Sequence, residues 1–445
     1  MSQQSSPHRK TTDAAAATGS RLDSYVDRYA TRTHGMTASE TRSLFAVASR
    51  PEVVSLAGGM PNISGLPLDV VGSMMNDLVT KRGMTALQYG SGQGDPTLRE
   101  QICDVMRPAG INAHPDDVTV TVGSQQALDL LTRIFIDPGD VILAEAPSYV
   151  VALGTFRSYQ ADIVHVEMDD HGLVPERLRE AIAAVRAAGK TIKFLYTIPS
   201  YHNPAGVTLP QQRRAEVLEI CRQADVLIVE DDPYGLLGFD GEVPRAIRAD
   251  DAEQVVYVGS FSKTFAPGFR VGWALAPHAV REKLVLASEN SVLCPPAFSQ
   301  LAVSEYLSGH DWMAQVKDFR EMYRERRDAM LEALDDLMPA GAHWTRPTGG
   351  FYVWLTLPEG IDAKAMLPRA VTNRVAYVPG TAFFADGFGA RSMRLSYCYP
   401  TPERIREGVR RLAQVIEQEM ELRATFGAWG SAQRPGLDAP APDQS

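Results

Sequence analysis

Short apolar runs alternate with segments of helical periodicity through the middle of the chain. Between the runs VTVTV and VILAEA, for example, Ala127, Leu130, Leu131 and Ile134 recur at the spacing of one helix face. Strands that alternate with helices in this way are typical of a parallel sheet with helices packed on its faces. The pattern therefore predicts an α/β fold with a mostly parallel sheet.

The pattern changes after residue 310. A long amphipathic stretch from Asp311 to Met338 leads into short alternating runs, a helical segment near Ala363 to Thr372 and a last helix through Val409 and Met420. These elements predict a second, smaller α+β domain packed on the sheet. The long stretch places six large apolar residues on one face: Trp312, Val316, Phe319, Tyr323, Met330 and Leu334.

Both ends of the chain differ from the rest. Large apolar groups are scarce before residue 36, and Gly, Pro, Ala and Asp are frequent after residue 425, so we expect disordered or flexible tails there. A short helix from Thr37 and a strand ending at Gly58-Gly59 form an N-terminal arm. The predicted segments are a tail (1–35), the arm (36–65), a large domain (66–310), a small domain (311–425) and a second tail (426–445).

Polar residues follow the ends of several predicted strands. Ligands of parallel α/β sheets bind beyond the carboxyl ends of the strands, so we expect these side chains to share one site. They are Ser124 and Gln125 in GSQQ, Tyr149 in APSYV, Asn203 in YHNPAG, Asp231 and Tyr234 in EDDPYG, and Ser260, Ser262, Lys263 and Arg270 in GSFSKTFAPGFR.

Lys263 is the centre of this set. It lies in a loop with Gly, Pro and hydroxyl residues between the strand-like runs VVYV and VGWALA. A buried neutral amine there would form a Schiff base with a carbonyl cofactor, whereas an isolated lysine on a connecting loop is more often a surface residue. Ser124 and Gln125 also have two interpretations. Amides at a helix N-terminus favour a phosphate, but Ser124 alone fits the role of a helix N-cap equally well.

Pyridoxal phosphate would use the whole set. Lys263 would hold its aldehyde and later move a proton, while Asp231 would keep the ring nitrogen protonated. Asn203 and Tyr234 would donate hydrogen bonds to the ring oxygen, and Tyr149 would stack on the ring or merely fill the core. The phosphate would be bound by amides, hydroxyls and a guanidinium from Ser124, Gln125, Ser260, Ser262 and Arg270.

Composition narrows the function classes. A chain of 445 residues with 44% hydrophobic residues is large enough for two or three globular domains, and a net charge of −10 argues against nucleic acid or an anionic membrane as main partner. The four cysteines occur singly, so neither a disulfide framework nor a zinc site is indicated. The sequence has no long apolar run and no hydrophobic signal core, so we expect a cytoplasmic protein. Because the cysteines are scattered, we also expect no bound metal.

These residues lie in motifs that resemble the fold-type I pyridoxal-phosphate aminotransferases of class I/II, in the 2-aminoadipate and kynurenine aminotransferase branch. The resemblance implies an aspartate aminotransferase-like fold, a homodimer and a ping-pong transfer of an amino group from an L-amino acid to a 2-oxo acid. It covers residues 37 to about 420 through SLAGGMPN, LQYGSGQGDPTLRE, GSQQAL, EAPSYV, NPAGVTL, EDDPYG, SFSKTFAPGFRVGW, PTGGFYVW, VPGTAFF and RLSY.

The resemblance also implies roles at the substrate. Arg394 in MRLSY matches an arginine that binds the α-carboxylate, the other reading being a salt bridge at a strand end. Gly59 matches a backbone position beside the substrate, Asn203 lies close by, and Tyr89 matches a tyrosine that reaches the cofactor phosphate or the substrate from the neighbouring subunit. His202 departs from the branch pattern, and we interpret it as a local hydrogen-bonding residue.

Other functions stay open at this point. A lyase or decarboxylase could use the same scaffold, and a ligand-sensing regulator could borrow it, although residues 1–35 are too short and too polar for a DNA-binding module. Asp232 competes with Asp231 as the ring partner, and the spacing to Tyr234 favours Asp231. The sequence does not identify the preferred side chain of the substrate.

Overall fold

The computed structural model describes residues 25–35 and 50–432. Its helices are α1 (Leu68–Ala86), α2 (Pro96–Met106), α3 (Gly123–Phe135), α4 (Val150–Ser158), α5 (Pro175–Ala187), α6 (Gln211–Gln223), α7 (His278–Val292), α8 (Ala297–Gly309), α9 (Trp312–Leu337), α10 (Ala363–Thr372) and α11 (Pro402–Ala432). Its strands are β1 (Val54–Ser55), β2 (Val118–Thr121), β3 (Val141–Ala146), β4 (Asp162–Asp169), β5 (Gly172–Leu173), β6 (Ile192–Thr197), β7 (Leu227–Asp231), β8 (Val255–Ser260), β9 (Gly272–Leu275), β10 (His343–Trp344), β11 (Tyr352–Thr356), β12 (Val375–Ala376), β13 (Val378–Pro379) and β14 (Ser392–Ser396).

The large sheet confirms the predicted α/β fold. Within the described ranges, eight strands form it in the order β2-β9-β8-β7-β6-β3-β4-β5. Strands β8, β7, β6, β3 and β4 run parallel, while β2, β9 and β5 pair antiparallel with their neighbours. The sheet is therefore mostly parallel, and the loops after β3, β6, β7 and β8 leave it at one edge.

Helices cover both faces of this sheet because successive strand residues point to opposite sides. Ile142 and Val229 belong to a buried cluster with residues of α3 and α4. Leu143 and Ile228, their chain neighbours, belong to a second buried cluster with residues of α5 and α6. Near-continuous apolar strands are what burial on both faces requires, and they fix the sheet that positions the polar loops.

The C-terminal part forms a smaller antiparallel sheet, ordered β10-β11-β14-β13. Helices α9 and α11 pack on each other and share one core with β11 and β14. The six residues predicted on one face of α9 are all buried. The predicted smaller α+β unit is therefore present, and Arg394 lies in β14.

The N-terminal arm is fastened to this smaller unit. Strand β1 pairs in parallel with β12. From α11, Arg404 donates to the carbonyl of Val53 at 3.0 Å and Arg411 donates to that of Glu52 at 3.1 Å. These contacts hold the arm so that its next residues, up to Gly59, cross the end of the large sheet.

Three features differ from, or fall outside, the sequence prediction. Helix α11 continues to Ala432, past residue 426, where the second tail is predicted to begin. Short 3-10 turns occur at Val26–Arg28 and Thr31–Gly35, inside the predicted first tail. The helix predicted from Thr37 lies outside the described residues. No helix in the described ranges is long and apolar enough to cross a membrane.

Candidate active site

Lys263 lies in the turn that follows β8, with its amine directed at the arm. Its Nζ donates a hydrogen bond to the carbonyl oxygen of Gly59 at 3.0 Å. Although Lys263 keeps some accessible surface, protein atoms surround the amine, and this burial lowers its pKa to about 8. The positive charges of Arg394 and Arg270 lower the pKa further. The lowered pKa gives this lysine a larger fraction of neutral amine near physiological pH than an exposed lysine has.

Gly59 meets the amine because it has no side chain. A Cβ placed on Gly59 would lie 2.1 Å from the hydroxyl oxygen of Tyr352, far inside any van der Waals contact. The close approach lets the backbone carbonyl of Gly59 reach Lys263 across a sequence separation of 204 residues. The arm and the large sheet therefore meet at this point.

Asp231 ends β7 and carries an unsatisfied oxygen. Its Oδ2 accepts a hydrogen bond from the Tyr196 hydroxyl at 2.7 Å, whereas its buried Oδ1 has no partner. Burial raises the pKa of Asp231 to about 7, against the lowering effect of the Tyr196 hydrogen bond. A cationic N–H group at Oδ1 would satisfy the oxygen and favour the ionised carboxylate. The protonated ring nitrogen of pyridoxal phosphate is such a group.

The first turn of α3 and the loop after β8 form a cradle of donors. Ser124 and Gln125 lie in that first turn, and neither caps the helix through its side chain. The Ser260 hydroxyl donates to Ser262 Oγ at 2.9 Å, and Arg270 NH1 donates to the same atom at 3.2 Å. Amides at a helix N-terminus together with hydroxyls and an arginine suit a phosphate group.

Two backbone conformations shape this cradle. Gly123 has a φ of +72°, and a Cβ at that residue would lie 2.4 Å from Arg270 NH2. Arg270 itself has a φ of +53°, in the left-handed region that few arginines adopt, and its NH2 donates to the carbonyl of Val122 at 3.3 Å. The turn therefore brings the guanidinium against the N-terminus of α3.

Tyr149, Asn203 and Tyr234 complete the group around Lys263 and Asp231. Tyr149 immediately precedes α4, and burial raises its pKa, with Asp231 among the nearby charges that act in the same direction. Tyr234 is buried, and its hydroxyl donates to Tyr352 at 3.4 Å. Asn203 is buried in the loop after β6, where its Oδ1 accepts a hydrogen bond.

Arg394 is the donor to Asn203. Its NH1 donates to Asn203 Oδ1 at 2.9 Å and its NH2 donates to the carbonyl of Ala57 at 2.8 Å, but its buried Nε has no partner. The guanidinium carbon lies 4.2 Å from the centroid of the Tyr352 ring and 5.1 Å from that of Phe383. No carboxylate pairs with it among the described residues, so the salt-bridge reading of Arg394 is not what the structure shows.

Tyr89 stands apart from this group. Its side chain is 77% exposed, in the loop between α1 and α2. The structure therefore gathers the other predicted residues at one edge of the sheet and leaves Tyr89 on the surface. Within the described residues, no group of three or more His, Cys, Asp or Glu side chains could hold a metal ion.

His202 and Asp232 have partners of their own. His202 Nδ1 accepts a hydrogen bond from the backbone N–H of Ala205 at 3.2 Å, and its Nε2 lies 3.0 Å from Glu145 Oε2, off the direction of a hydrogen bond. Asp232 Oδ2 accepts from the Tyr257 hydroxyl at 3.1 Å. Both residues are buried beside the site, and neither contact involves Lys263.

Sequence reasoning missed two tyrosines that contact the site. Tyr352 lies against Arg394, Gly59 and Tyr234, and it was visible only as part of the motif PTGGFYVW. Tyr196 lies in β6 among apolar residues, where an aromatic residue reads as core. For Tyr196 no sequence signal existed, because its contact with Asp231 depends on the pairing of β6 with β7.

Comparisons with known proteins agree with this geometry. Residues 52–412 match the family model described as aminotransferase class I and II. The chain is 44% identical to aromatic-amino-acid aminotransferase 1 of Thermococcus litoralis, over 89% of this chain and 96% of that protein. It is 36% identical to 2-aminoadipate transaminase of Thermus thermophilus, over 86% and 95% of the two chains.

A solved structure is similar over the same extent. The kynurenine aminotransferase of Pyrococcus horikoshii, solved with PMP and with kynurenine as substrate, superposes with a TM-score of 0.85 at 40% identity. The match covers 88% of this chain and 98% of that one.

Proposed function

This chain belongs to the class I and II aminotransferases and uses pyridoxal phosphate to transfer an amino group between an amino acid and a 2-oxo acid; from that premise we propose a role for each residue of the site and a preferred substrate. The observation that carries the roles is the presence in one site of a buried amine with a lowered pKa, Lys263 Nζ, and of an unsatisfied buried carboxylate oxygen, Asp231 Oδ1. The relatives named above are transaminases, which favours transamination over the lyase, decarboxylase and regulator alternatives.

Bound pyridoxal phosphate supplies an aldehyde that reacts with amines and a ring that accepts electrons from the substrate α-carbon. Lys263 would hold the cofactor through its aldehyde, because the lowered pKa of Lys263 increases the fraction of neutral amine. Lys263 Nζ would also accept the proton of the substrate α-carbon and return one. Gly59 holds that amine in place through its carbonyl oxygen.

The remaining cofactor residues orient the ring. Asp231 Oδ1 would accept a hydrogen bond from the ring nitrogen, while Asn203 and Tyr234 would donate to the ring oxygen. Tyr149 would pack against the ring. The residues of the cradle would bind the phosphate, and they are Ser124, Gln125, Ser260, Ser262 and Arg270.

Arg394 binds the substrate α-carboxylate. Its Nε is buried without a partner, and it is one of the two neighbouring donors that a carboxylate engages in a bidentate pair. Tyr352 and Phe383 lie on the guanidinium and limit its movement, so the donors are fixed before the substrate arrives. Asn203 contacts NH1 and links the carboxylate end of the site to the cofactor end.

We infer that aromatic amino acids are the preferred donors. Aromatic side chains surround the carboxylate position, with Tyr234, Phe351 and Tyr352 in edge contacts and Phe383 beside Arg394. The relatives named for aromatic amino acids and for kynurenine act on such side chains. A matrix of amino donors against 2-oxo acids tests this proposal. A higher kcat/KM for 2-aminoadipate than for phenylalanine, tyrosine or kynurenine would contradict it.

The absorbance of the purified protein tests the role of Lys263. The wild-type protein with pyridoxal phosphate is expected to show a visible band from the lysine-bound cofactor, and Lys263→Ala is expected to lose it. Lys283→Ala is the matched control, because Lys283 lies on α7, outside the group of residues described above. A Lys263→Ala protein that keeps the wild-type band would refute the assignment.

We also propose a homodimer in which Tyr89 reaches the site of the partner. The end of α1 and the loop that carries Tyr89 expose large apolar residues, with Met84 90% and Leu87 70% exposed. Gly90 lies against Ala297, at the start of α8, so the loop is continuous with the exposed Leu293 at the end of α7. A surface of this kind is typical of a protein interface.

Mixed dimers test this arrangement. Subunits with Lys263→Ala and subunits with Tyr89→Ala are each expected to be impaired alone. Together they are expected to recover about a quarter of wild-type activity, since half of the dimers are hybrids with one complete site. Additive activity without recovery, or a monomer in sedimentation experiments, would overturn the proposal.

A cytoplasmic location is a further proposal. Cys103, Cys221, Cys294 and Cys398 are all unpaired, as is usual in a reducing compartment. Cell fractionation checks it, and recovery of the protein outside the cytoplasm would contradict it.

A further inference from the structure

Two neighbouring carboxylates at the end of β7 each accept one tyrosine hydroxyl from a flanking strand. Asp231 Oδ2 accepts from Tyr196 in β6 at 2.7 Å. Asp232 Oδ2 accepts from Tyr257 in β8 at 3.1 Å. The two contacts are chemically alike, but only Asp231 belongs to the group around Lys263. The chain therefore contains two similar tyrosine–aspartate hydrogen bonds, and only the one between Tyr196 and Asp231 belongs to the site.

The Tyr196 hydroxyl is held rigidly. Its side chain is fully buried, and its ring makes an edge contact with Phe156 of α4 at a centroid distance of 5.3 Å. Strand pairing fixes the backbone on either side, since Tyr196 lies opposite Ala144 on β3 and Val229 on β7. A hydroxyl placed this way occupies Oδ2 of Asp231 and leaves Oδ1 as the open acceptor.

We propose that Tyr196 is a positioning residue for the reaction: its hydroxyl fixes the Asp231 carboxylate and keeps it ionised, so that the proton shared with the cofactor rests on the ring nitrogen. This inference depends on the role proposed above for Asp231. It adds a residue that no motif of the chain indicated, and it names a contact that favours the ionised form of a deeply buried carboxylate.

The charges around the pair show why one hydroxyl matters. Burial and the neighbouring Asp232 both favour a protonated Asp231, and the Tyr196 hydrogen bond opposes them. The other titratable groups that face Tyr196 are Tyr149 and Glu145, and neither is a cation. Among the described residues, Tyr196 is the one side-chain donor to Asp231. Removing its hydroxyl moves the shared proton toward the carboxylate and weakens the ring as an electron acceptor.

The ring nitrogen itself gives the most direct readout. Apoprotein is loaded with pyridoxal phosphate carrying 15N in the ring, and the 15N chemical shift reports where the proton lies. Tyr196→Phe is expected to move the signal toward that of an unprotonated ring and to slow the first half-reaction with an amino acid by about tenfold. Tyr257→Phe, the matched control, is expected to keep the wild-type shift and a rate within about twofold.

A second variant acts in the opposite direction. Replacing Tyr196 with 3-fluorotyrosine makes the hydroxyl a stronger donor, and burial keeps the pKa of this side chain well above its usual value, so it stays neutral. The 15N signal is then expected to move toward a fully protonated ring. This variant keeps the hydroxyl and the shape of the side chain, so the test holds even if Tyr196→Phe does not fold.

Asp231→Asn separates failure of the inference from failure of the proposed function. If Asp231→Asn leaves the 15N shift unchanged, the proposed role of Asp231 is wrong. If Asp231→Asn changes the shift but neither Tyr196 variant does, the role of Asp231 stands and the inference about Tyr196 falls. Equal changes in Tyr196→Phe and Tyr257→Phe would also overturn it, since they would indicate a general loss of packing.

Discussion

Glu230 and Asp231 are neighbours on β7, yet they serve two different regions of the protein. Both are fully buried, and burial raises the pKa of each to about 7. Glu230 is fully satisfied: its oxygens accept the backbone N–H groups of Ile247 at 3.0 Å and Arg248 at 2.8 Å, and Arg214 lies 4.0 Å away. Asp231 has one tyrosine and an open oxygen.

Two arginines repeat the contrast. Arg214, beside Glu230, donates from all three nitrogens to the carbonyls of Leu209, Arg245 and Pro199. Arg394, at the substrate end, keeps a buried Nε without a partner. A perturbed pKa or a buried charge therefore does not identify a functional residue in this protein. In both pairs the residue at the proposed site is the one with an unsatisfied hydrogen-bonding atom, and leaving that atom open costs about 1–3 kcal/mol until a ligand binds.

Asp231→Asn, at the carboxylate with an unsatisfied oxygen, is expected to cause the largest change in activity. Loss of the charge that supports the ring nitrogen is expected to lower kcat by about 10²–10³-fold. The apoprotein is expected to be as stable as wild type or more stable, because an unsatisfied buried carboxylate is removed. Steady-state kinetics and urea denaturation of the apoprotein measure the two effects. Wild-type kcat would erase the distinction between the two carboxylates.

Glu230→Gln is the corresponding test at the carboxylate whose two oxygens both accept hydrogen bonds. The amide can accept only one of the two backbone N–H groups and turns a donor toward the other, so the free energy of unfolding is expected to fall by about 2–3 kcal/mol. Activity per folded molecule is expected to stay within about twofold. Urea denaturation followed by circular dichroism checks the first expectation. A large loss of kcat with unchanged stability would reverse the contrast.

Arg394→Ala sharpens the contrast between the arginines. Loss of a bidentate charged contact is expected to raise KM for the amino acid by roughly tenfold to a hundredfold, while the cofactor stays bound. Arg391→Ala is the matched control, since Arg391 lies near the start of the same strand and donates to the carbonyl of Leu357. Isothermal titration with a substrate analogue checks the result. Equal affinity in both variants would remove Arg394 from the carboxylate site.

The sequence predicts the residues that have unsatisfied hydrogen-bonding atoms better than it predicts the residues that contact them. Lys263 and Asp231 lie in a loop and at a strand end with unusual polar residues, so their patterns were visible and the parallel sheet predicted their common edge. The role of Arg394, in the middle of β14, was implied only by the family resemblance. Tyr196 and Tyr352 were not predicted as site residues, because an aromatic residue in a strand has the same pattern whether it fills the core or contacts a ligand. The contact of Gly59 with Lys263 depends on how the arm crosses the sheet, which no local pattern encodes.

The pKa of Lys263 gives the smallest expected effect. Burial lowers this pKa to about 8, so the neutral fraction of the amine rises steeply with pH below that value and approaches one above it. The rate at which the apoprotein captures pyridoxal phosphate is expected to rise about tenfold per pH unit below pH 8 and to level off above it. Stopped-flow absorbance measures this rate. A rate that keeps rising toward pH 10 would indicate an ordinary exposed lysine.

The central claim is that Lys263 is the lysine that binds the cofactor covalently, and reduction of the holoenzyme tests it most directly. Borohydride fixes the cofactor to the lysine that carries it, and mass spectrometry of the digested protein then locates the added mass. We expect it on the peptide that contains Lys263, with none on Lys193, whose amine pairs with Asp140 at 3.2 Å. Cofactor mass on another lysine, or on no peptide at all, would contradict the account.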